Sequence, residues 1–524
     1  MLTDILKSSF QNYTLDKVFW SFVEFWIAWQ VSGWIWMRWN CPKGVYIGGT
    51  SPLYGSWLTS LEFVVDGAGI IADVYHRLGR NHSAFAIPAL GEYQTLVTTE
   101  THIRELGRCT EHILSFNEAM DQRLRYKYTM FGFDDNGIDP HHSLVTRVLK
   151  VCLRTAVPTL QIELQSPIRM TMRKTISESL AAVGSPGWKQ VNAVSLAREV
   201  TNRVNNHVLV GEDLAANPGF HKASLRYNQD VVIAMELCRH VPSLLVPVVA
   251  TATMGWSGAM KQVAGYLTGS IEERLLEAAD RKHVKKRCDG IQWVMDCSRT
   301  PAQQTVLRMV QQTIALMFAS AHQIPMALIY AIYNLCIYPQ YIEPLRREIE
   351  QVQRTKKFEE QFNHMPLMEG FLRESGRLNP LDALSIQRKA LNPYSFSGNG
   401  PHLAAGSLVA VPQEALMRDS TLYAKANKFN GFRFVVFDEK NEQGETIPRA
   451  CPKFTDVSWK YPYWGSEKRA CPGRWYVSRV LKQILMNLIM DYDFKLAQDD
   501  SPASFIWTTA IVPHHRMTVL MREK

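Results

Sequence analysis

The segment YWGSEKRACPGR at positions 463–474 restricts what this chain can fold into more than any other part of the sequence. Gly465 and Gly473 flank Cys471 and allow the backbone to turn tightly and approach a flat ligand. Arg469 places a permanent positive charge beside the thiol, which favours a thiolate. The residues from Trp475 to Met490 carry apolar side chains at helical spacing. This pattern suits a metal-bound thiolate, and a buried structural cysteine before a core helix is the alternative.

The same segment resembles the haem-binding loop of the cytochrome P450 family, usually written [FW]-G-x-G-x-R-x-C-x-G. The resemblance is carried by Trp464, Gly465, Arg469, Cys471 and Gly473. It implies haem b as cofactor, with Cys471 as the axial ligand of the iron and Arg469 directed at a haem propionate. At the second glycine of the pattern this chain has Glu467, which leaves the geometry of the turn open.

Two further elements stand upstream in the order that the family shows. Glu374 and Arg377 are three residues apart, so they share one helical face and can form an ion pair. Such a pair is usually only a solvated surface contact. Arg433, in the stretch FNGFRF, resembles the arginine of the family's meander region. The resemblance implies that Glu374, Arg377 and Arg433 form a structural charge cluster behind the haem, which is costly to bury unless every partner is satisfied.

Composition and patterning agree with one large domain. The chain has 524 residues, of which 46% are apolar, and it contains no Pro/Gly/Ser-rich linker or internal repeat. Helical patterns dominate from Thr98 to Gln353, and strand-like runs lie between Ala383 and Val411 and after Ser504. We therefore expect a mainly α protein with the cytochrome P450 fold, a large helical domain with small β-sheets, and an N-terminal membrane anchor helix.

The anchor is predicted at residues 18–39, between a short lumenal tail at 1–17 and the haem-thiolate domain at 40–524. A helix of this length spans about 33 Å, close to the hydrocarbon thickness of a bilayer. Glu24 and Gln30 weaken the prediction, so a helix lying in the interface and a buried soluble helix stay open as alternatives. Asn12 begins an N-x-T glycosylation acceptor. The family resemblance implies a single-pass protein of the endoplasmic reticulum membrane with a cytosolic catalytic domain.

The helical pattern from Thr305 to Tyr333 departs from the family. Where the family consensus reads A-G-x-[DE]-T, this chain reads ASAHQ, so His322 and Gln323 replace the acid and the threonine. Neighbouring helical residues project about 100° apart, so we expect Gln323 to face the oxygen pocket and His322 to lie to its side. Our hypothesis assigns Gln323 to ordering a water and His322 or solvent to supplying protons, and simple space filling is the alternative. Pro325 lacks an N–H and should kink the helix.

Weaker patterns concern the haem propionates and the partners. By resemblance, Arg388 binds one propionate, and His142 or Arg147 reaches the other. The net charge is +9, yet no nucleic-acid motif is present. A basic group surrounds the loop: Lys468, Arg469, Arg474, Arg479 and Lys482. The family uses an NADPH-cytochrome P450 reductase, which supplies NADPH electrons through its flavins, and cytochrome b5 is an optional second donor. Charge steering of that acidic reductase and an ordinary charged helix face are both open readings of the basic group.

The nine cysteines are scattered and odd in number, without a C-x-x-C pair. This argues against a zinc site and a disulfide framework and indicates a reducing compartment.

The predicted activity is that of a haem-thiolate monooxygenase, because a cysteine-ligated haem favours O–O cleavage. The expected pocket walls are aliphatic or small and lie around Val512, between Ala383 and Ile386, and around Met317 and Ala321. We expect a bulky apolar substrate, and the resemblance to fungal terpenoid-oxidising members, including ent-kaurene oxidase relatives, suggests a terpenoid, meroterpenoid or indole-diterpene. An electron-independent isomerase or dehydratase and a haem-binding non-enzyme remain alternatives.

Overall fold

A computed structural model describes residues 15–39, 42–49, 55–78, 82–89, 92–134, 144–182, 186–280, 287–440, 446–498 and 503–524. Asn12, most of the predicted tail and His142 lie outside these ranges. The fold is mainly helical with small sheets, as the sequence predicts.

Helices make up most of the described chain. The first eleven are α1 (Leu15–Trp39), α2 (Gly55–Leu78), α3 (Glu100–Arg108), α4 (Phe116–Leu124), α5 (Tyr126–Thr129), α6 (Leu144–Arg147), α7 (Arg154–Ser177), α8 (Ala193–Val210), α9 (Glu212–Ala216), α10 (Pro218–Arg239) and α11 (Val246–Trp256). The others are α12 (Ala259–Asp280), α13 (Gly290–Cys297), α14 (Val306–Ala321), α15 (Gln323–Ile337), α16 (Ile342–Thr355), α17 (Phe358–Gln361), α18 (Pro366–Leu378), α19 (Gln413–Met417) and α20 (Arg474–Asp491). A π-helical segment, Val148–Leu153, joins α6 to α7, and short 3₁₀ turns cover Pro339–Tyr341, Pro462–Trp464 and Glu467–Arg469.

The strands form one larger sheet and several small ones. They are β1 (Tyr46–Ile47), β2 (Ala84–Ala89), β3 (Glu92–Val97), β4 (Leu114–Ser115), β5 (Leu180–Ala181), β6 (Lys189–Asn192), β7 (Leu384–Ala390), β8 (Tyr394–Ser395), β9 (His402–Leu403), β10 (Leu408–Pro412), β11 (Val435–Lys440), β12 (Thr446–Ala450), β13 (Tyr492–Leu496), β14 (Ser504–Trp507), β15 (Ala510–Pro513) and β16 (Thr518–Glu523). The larger sheet has the order β1-β2-β3-β10-β7-β4, and β13-β16-β6-β5 form a second sheet. In the larger sheet β10 is parallel to β3 and antiparallel to β7, with Val409 opposite Arg388.

Two apolar cores organise these elements. The larger core packs the helices from α7 to α20 around α14 and α15, and the second fills the space between the larger sheet, α2 and α3. Side-chain caps fix the starts of several helices. At the start of α14, the Thr305 hydroxyl accepts a hydrogen bond from the Arg308 N–H at 3.3 Å. The long central helices therefore hold the site region, and the sheet closes it on one side.

The central helical stretch is interrupted where the sequence predicts a kink. α14 ends at Ala321 and α15 begins at Gln323, with His322 between them at φ −106°. Pro325 cannot donate to the carbonyl of Ala321, so the regular hydrogen-bond ladder is broken at this turn. The predicted single helix, Thr305 to Tyr333, is therefore two helices that meet at His322.

The N-terminal helix α1 covers the predicted anchor and begins three residues earlier, at Leu15. Large apolar side chains are exposed along it, among them Trp20, Phe25, Ile27 and Val31. Among the described helices, the length and hydropathy of a membrane span are met by Val306–Ile337 alone, and 61% of that stretch is buried inside the protein. That stretch is a core helix pair, and α1 falls short of the same criterion.

Candidate active site

The loop that carries Cys471 is held by its own backbone. The amide of Cys471 donates 2.7 Å to the carbonyl of Trp464, and the Trp464 indole donates 2.7 Å to the carbonyl of Phe454. The backbone N–H groups of Gly473 and Arg474 donate to the cysteine sulfur, which favours a thiolate. Burial acts in the opposite direction and raises the pKa of the Cys471 thiol. A cation at the sulfur would satisfy this buried group, so the donor set fits a metal ligand.

Glu467 occupies the place of the second glycine of the loop pattern without losing the turn. Its φ is +42°, a left-handed conformation that L side chains rarely adopt. The carboxylate is held from α3, because Arg108 Nε donates to it at 2.7 Å and Arg104 Nη1 at 3.5 Å. These two cations lower the pKa of Glu467. Ion pairs to α3 thus accompany the strained conformation that glycine would adopt freely.

The Glu374 cluster, comprising Glu374, Arg377 and Arg433, is assembled as a closed set of charges. Both oxygens of Glu374 are bound, with Arg377 Nε at 2.7 Å, Arg377 Nη2 at 2.9 Å and Arg433 Nε at 3.0 Å. Arg377 also donates to the carbonyls of Met417 and Ala426. The Glu374 and Arg377 side chains are fully buried. The structure therefore brings together the three residues that the sequence grouped, and the cluster meets its own hydrogen-bonding demand.

The Arg388 site, comprising Arg388, Arg469 and Glu111, has two arginines for one carboxylate. Arg469 Nη1 lies 2.6 Å from Glu111 Oε2, so this arginine has an intramolecular partner, and its contact with a haem propionate stays a prediction. Arg388 is only 2% exposed, and burial lowers its pKa to about 10. Within the described residues its Nε has no hydrogen-bond partner.

This surplus of positive charge fits the prosthetic group that the loop implies. A buried guanidinium without a carboxylate is costly, and an anionic propionate would supply the missing acceptor. Cys471, with its thiolate-favouring contacts, and Arg388 are thus the residues that would hold such a group.

The other two residues predicted to contact a propionate are His142 and Arg147. His142 lies outside the described residues. Arg147 ends α6, and its Nη1 donates 3.3 Å to the carbonyl of Cys297 on α13. At least part of this guanidinium is thus committed to α13, and its role at a propionate stays a prediction.

His322 and Gln323 diverge at the break between α14 and α15, and the position of Gln323 at the oxygen pocket stays a prediction. The Gln323 side chain is exposed. The His322 ring hydrogen-bonds the backbone of Asn228 on α10 and packs edge-on against Phe318, with ring centroids 5.3 Å apart. Burial and the positive charge of Arg198 lower the pKa of His322 to about 4. The imidazole is therefore neutral near pH 7, which corrects the expectation that it titrates there.

Much of the basic group around the loop points into the protein. Lys482 is buried, pairs with Glu369 and donates 2.9 Å to the carbonyl of Phe362. Arg479 donates to Asn363 at 2.7 Å. Arg474 stacks on Trp475, with its Cζ 3.6 Å from the ring centroid. These contacts correct the expectation that the group forms a solvent-facing basic patch. The side chain of Lys468 lies outside the described residues.

Two features of the site could not be found in the sequence. Glu111, the partner of Arg469, is an isolated acid in a loop and carries no motif. A buried hydrogen-bond bridge also joins α20 to the helix break: Tyr476 Oη donates 2.9 Å to Asn205 Oδ1, and Asn205 Nδ2 donates 3.1 Å to the carbonyl of Ser320. This bridge couples the start of the helix after Cys471 to the turn before His322.

A mainly helical domain with a glycine-flanked cysteine loop, a buried E-x-x-R cluster and a buried arginine whose Nε has no acceptor among the described residues defines the class of haem-thiolate proteins. The cytochrome P450 family model matches residues 129–521, and the chain belongs to that family. It is accordingly a cytochrome P450 monooxygenase of the fungal type, with haem as its cofactor.

Curated relatives and a solved structure agree with this assignment. Cytochrome P450 monooxygenase 151 of Postia placenta is 26% identical over 484 residues, which cover 91% of this chain and 93% of that protein. Cytochrome P450 monooxygenase olcJ of Penicillium canescens is 26% identical over 475 residues, covering 89% and 86%. The structure of retinoic acid bound cyanobacterial CYP120A1 superposes with a TM-score of 0.67 at 15% identity, covering 92% of this chain and 99% of that one, and supports the fold.

Proposed function

We propose that this monooxygenase inserts oxygen into a bulky apolar substrate, a terpenoid, meroterpenoid or indole-diterpene intermediate of fungal secondary metabolism. One observation carries the proposal: two of the expected apolar walls adjoin each other. The amide of Ala383 donates 2.7 Å to the carbonyl of Thr509, and Ile511 N donates 3.2 Å to the carbonyl of Leu381. The Tyr330 hydroxyl on α15 lies 2.9 Å from Ser504 Oγ and donates 3.3 Å to the carbonyl of Ile511, next to the wall around Val512.

Charged residues stand next to these walls but are neutralised among themselves. Arg123 Nη2 lies 2.7 Å from Asp382 Oδ2, directly before Ala383. Trp507 Nε1 donates 2.8 Å to Glu236, and Arg239 Nη1 donates 2.6 Å to Thr508 Oγ1. Because these groups have internal partners, they leave a largely apolar surface for the substrate.

In this proposal Cys471 ligates the haem iron, and Arg388 binds a propionate with support from Arg469. The haem supplies oxygen activation, for which thiolate ligation provides electron density. The chain itself holds the sulfur with two backbone N–H donors. The buried Glu374 cluster has a structural role. The role of the protein is orientation, exclusion of water and electrostatics.

The proton route in this proposal runs through Gln323. Its amide can donate and accept, so it can order a water at the helix break. The neutral His322 serves as a positioning residue, because its bond to the Asn228 backbone fixes the turn from which Gln323 projects. Gln323→Ala should lower the product formed per NADPH consumed. Unchanged coupling would contradict the role of Gln323.

Electrons in this proposal come from NADPH through the flavins of a cytochrome P450 reductase, with cytochrome b5 as an optional donor. The reductase docks on the side of Cys471, where Arg474 and Arg154 flank Trp475. Activity that needs added reductase and NADPH supports this reading. Full turnover without either one would favour the isomerase or dehydratase alternative, which the missing acid–alcohol pair permits.

We also propose that α1 anchors the protein in the endoplasmic reticulum membrane with Asn12 on the lumenal side. The exposed apolar residues of α1 support membrane contact. Carbonate extraction of membranes that contain the full chain should leave it in the pellet if α1 spans the bilayer. A gel shift on glycosidase treatment that Asn12→Gln abolishes would place the tail in the lumen.

The central test is spectroscopic and chemical. The reduced, carbon-monoxide-treated protein should show the red-shifted Soret band of thiolate ligation, and Cys471→Ser should lose it. Cys451→Ser, at an exposed cysteine outside the loop, is the matched control. Feeding terpenoid, meroterpenoid and indole-diterpene precursors to an expressing host, followed by mass spectrometry, tests the substrate class. A normal spectrum with no oxidised product from any of them would refute the substrate proposal alone.

A further inference from the structure

Two cysteines that are distant in sequence meet at the surface of the larger core. Cys152 Sγ and Cys297 Sγ lie 3.8 Å apart although 145 residues separate them. Both are free and half-buried. Cys152 lies in the π-helical segment Val148–Leu153, and Cys297 is the last residue of α13. π-helical turns are rare and frequently lie at functional positions.

We propose that Cys152 and Cys297 are a modification site, a thiol pair that a low-molecular-weight disulfide such as oxidised glutathione converts into an internal disulfide. The sulfur atoms must approach by only about 2 Å to reach bonding distance, a shift that side-chain rotation can supply. In a reducing compartment such a bond is transient and responds to the redox state. The inference is independent of the proposed substrate.

The chemistry proceeds by two exchanges. The Cys297 thiolate attacks the small disulfide, forms a mixed disulfide and releases one thiolate. Cys152 then loses its proton and attacks the Cys297 sulfur, which releases the second small thiolate. The two cysteine protons end on the two released thiols, and the two electrons that the cysteines lose on oxidation reduce the small disulfide. Burial and the neighbouring Cys297 raise the pKa of Cys152 to about 11, which disfavours Cys152 as the first attacking thiolate.

The position of the pair connects it to the Cys471 loop. Two residues after Cys152, Arg154 lies over the ring of Trp475 with its Cζ 4.3 Å from the centroid. Arg474 covers the same ring and donates 2.8 Å to the carbonyl of Cys471. A bond between Cys152 and Cys297 would fix the segment that presents Arg154 against α13. That restraint would be transmitted through Trp475 to the loop that holds the Cys471 sulfur.

The test uses the full-length, haem-loaded protein, first reduced and then incubated with oxidised glutathione. After alkylation and trypsin digestion, the expected product is the peptide Val151–Arg154 linked to the peptide Cys288–Arg299. The second peptide contains Cys288 as well as Cys297, so the digest is repeated with Cys288→Ser. The cross-link should persist in Cys288→Ser and disappear in both Cys152→Ser and Cys297→Ser.

Two physical readouts accompany the cross-link. Closing this long loop should raise the melting temperature of the oxidised protein by about 2–5 °C, and the serine variants at 152 and 297 should show no rise. The Soret band of the carbon monoxide complex should shift on oxidation in the wild type and in Cys288→Ser, but not in Cys152→Ser or Cys297→Ser; a cross-link without that shift would overturn the connection to the Cys471 loop. Glutathione adducts without a cross-link, or a cross-link that requires Cys288, would overturn the assigned pair.

Discussion

The Glu374 cluster and the Arg388 site both bury arginines, but they balance them differently. In the Glu374 cluster one carboxylate binds two guanidinium groups, and backbone carbonyls accept most of the remaining N–H groups. In the Arg388 site, Arg469 engages the single carboxylate Glu111, and the Nε of the more deeply buried Arg388 has no acceptor among the described residues. The first set meets its own hydrogen-bonding demand, and the second leaves a buried N–H without an acceptor among the described residues.

This difference separates structural from ligand-binding charges by their partners. A buried charge that is fully paired costs stability when a partner is removed, because the remaining charge is stranded. A buried charge that lacks a partner lowers the stability of the ligand-free protein. Binding of a ligand of opposite charge offsets that cost. The same substitution should therefore have opposite consequences in the two sets.

The largest expected effect is loss of the carboxylate at the centre of the Glu374 cluster. Glu374→Ala should lower the free energy of unfolding by about 3–5 kcal/mol, because Arg377 and Arg433 are left without a counter-charge. Chemical denaturation of the full chain in detergent measures this. Glu343 also binds two arginines, but on the surface of α16, so Glu343→Ala is the matched control and should change the free energy little. Equal losses in the two variants would remove the distinction between the clusters.

His322 tests a third case, a buried base that loses its charge instead of finding a partner. The folded protein binds this proton only below about pH 4, whereas the unfolded chain binds it below about pH 6.5. The free energy of unfolding should therefore decrease by about 3 kcal/mol from this group as pH falls from 6.5 to 4, and be independent of it above 6.5. Denaturation curves across this range should show a smaller decrease in His322→Gln. The exposed His364→Gln is the control, and a decrease as large in His322→Gln as in the wild type would contradict the assignment.

The effect on stability that we expect of Arg388→Leu is opposite to the effect expected in the Glu374 cluster. The haem-free protein should be as stable as the wild type or more stable, because a buried cation that no described carboxylate binds is removed. Its affinity for haem should fall about 10–100-fold, which corresponds to the loss of a charged hydrogen bond of about 1.5–3 kcal/mol. Haem titration and denaturation of the haem-free form measure the two effects. Arg377→Leu should instead destabilise the haem-free protein, so a stability loss of similar size in both variants would break the comparison.

The smallest expected effect lies in the loop itself. Glu467→Gly should change the free energy of unfolding by no more than about 1 kcal/mol, since relief of the left-handed conformation offsets the lost ion pairs. Glu467→Ala loses the pairs and keeps the unfavourable φ, so it should be less stable than the glycine variant by about 1 kcal/mol. Melting curves of the two variants side by side decide this, and an alanine variant at least as stable as glycine would show that the loop is unstrained.

The sequence predicted the parts of the molecule that depend on short-range pattern. The helix after Cys471, the E-x-x-R spacing and the break before Pro325 each follow from residues within a few turns of one another. The strands after Ala383 and after Ser504 were also confirmed.

The partners of long polar side chains were the part that the sequence could not supply. Arg469 pairs with Glu111, far away in the chain, and Lys482 turns inward to Glu369 although a charged helix face was an equal reading. The depressed pKa of His322 depends on Arg198 and on burial beneath α10. Such effects arise from tertiary packing, and a linear pattern does not encode which distant side chain reaches a given atom.

The ion pairs from α3 to Glu467 have a consequence for protein engineering. A chimera of two related oxygenases that is joined at loops treats the cysteine segment as an independent cassette. Here Arg104 and Arg108 reach that segment from α3, and a Cβ on Gly107 would come within 2.4 Å of the Ser466 hydroxyl. A donor cassette with glycine at the second position would leave Arg104 with Glu100 alone and remove the carboxylate that Arg108 contacts, so transplanting the α3 stretch with the cassette keeps the two segments matched.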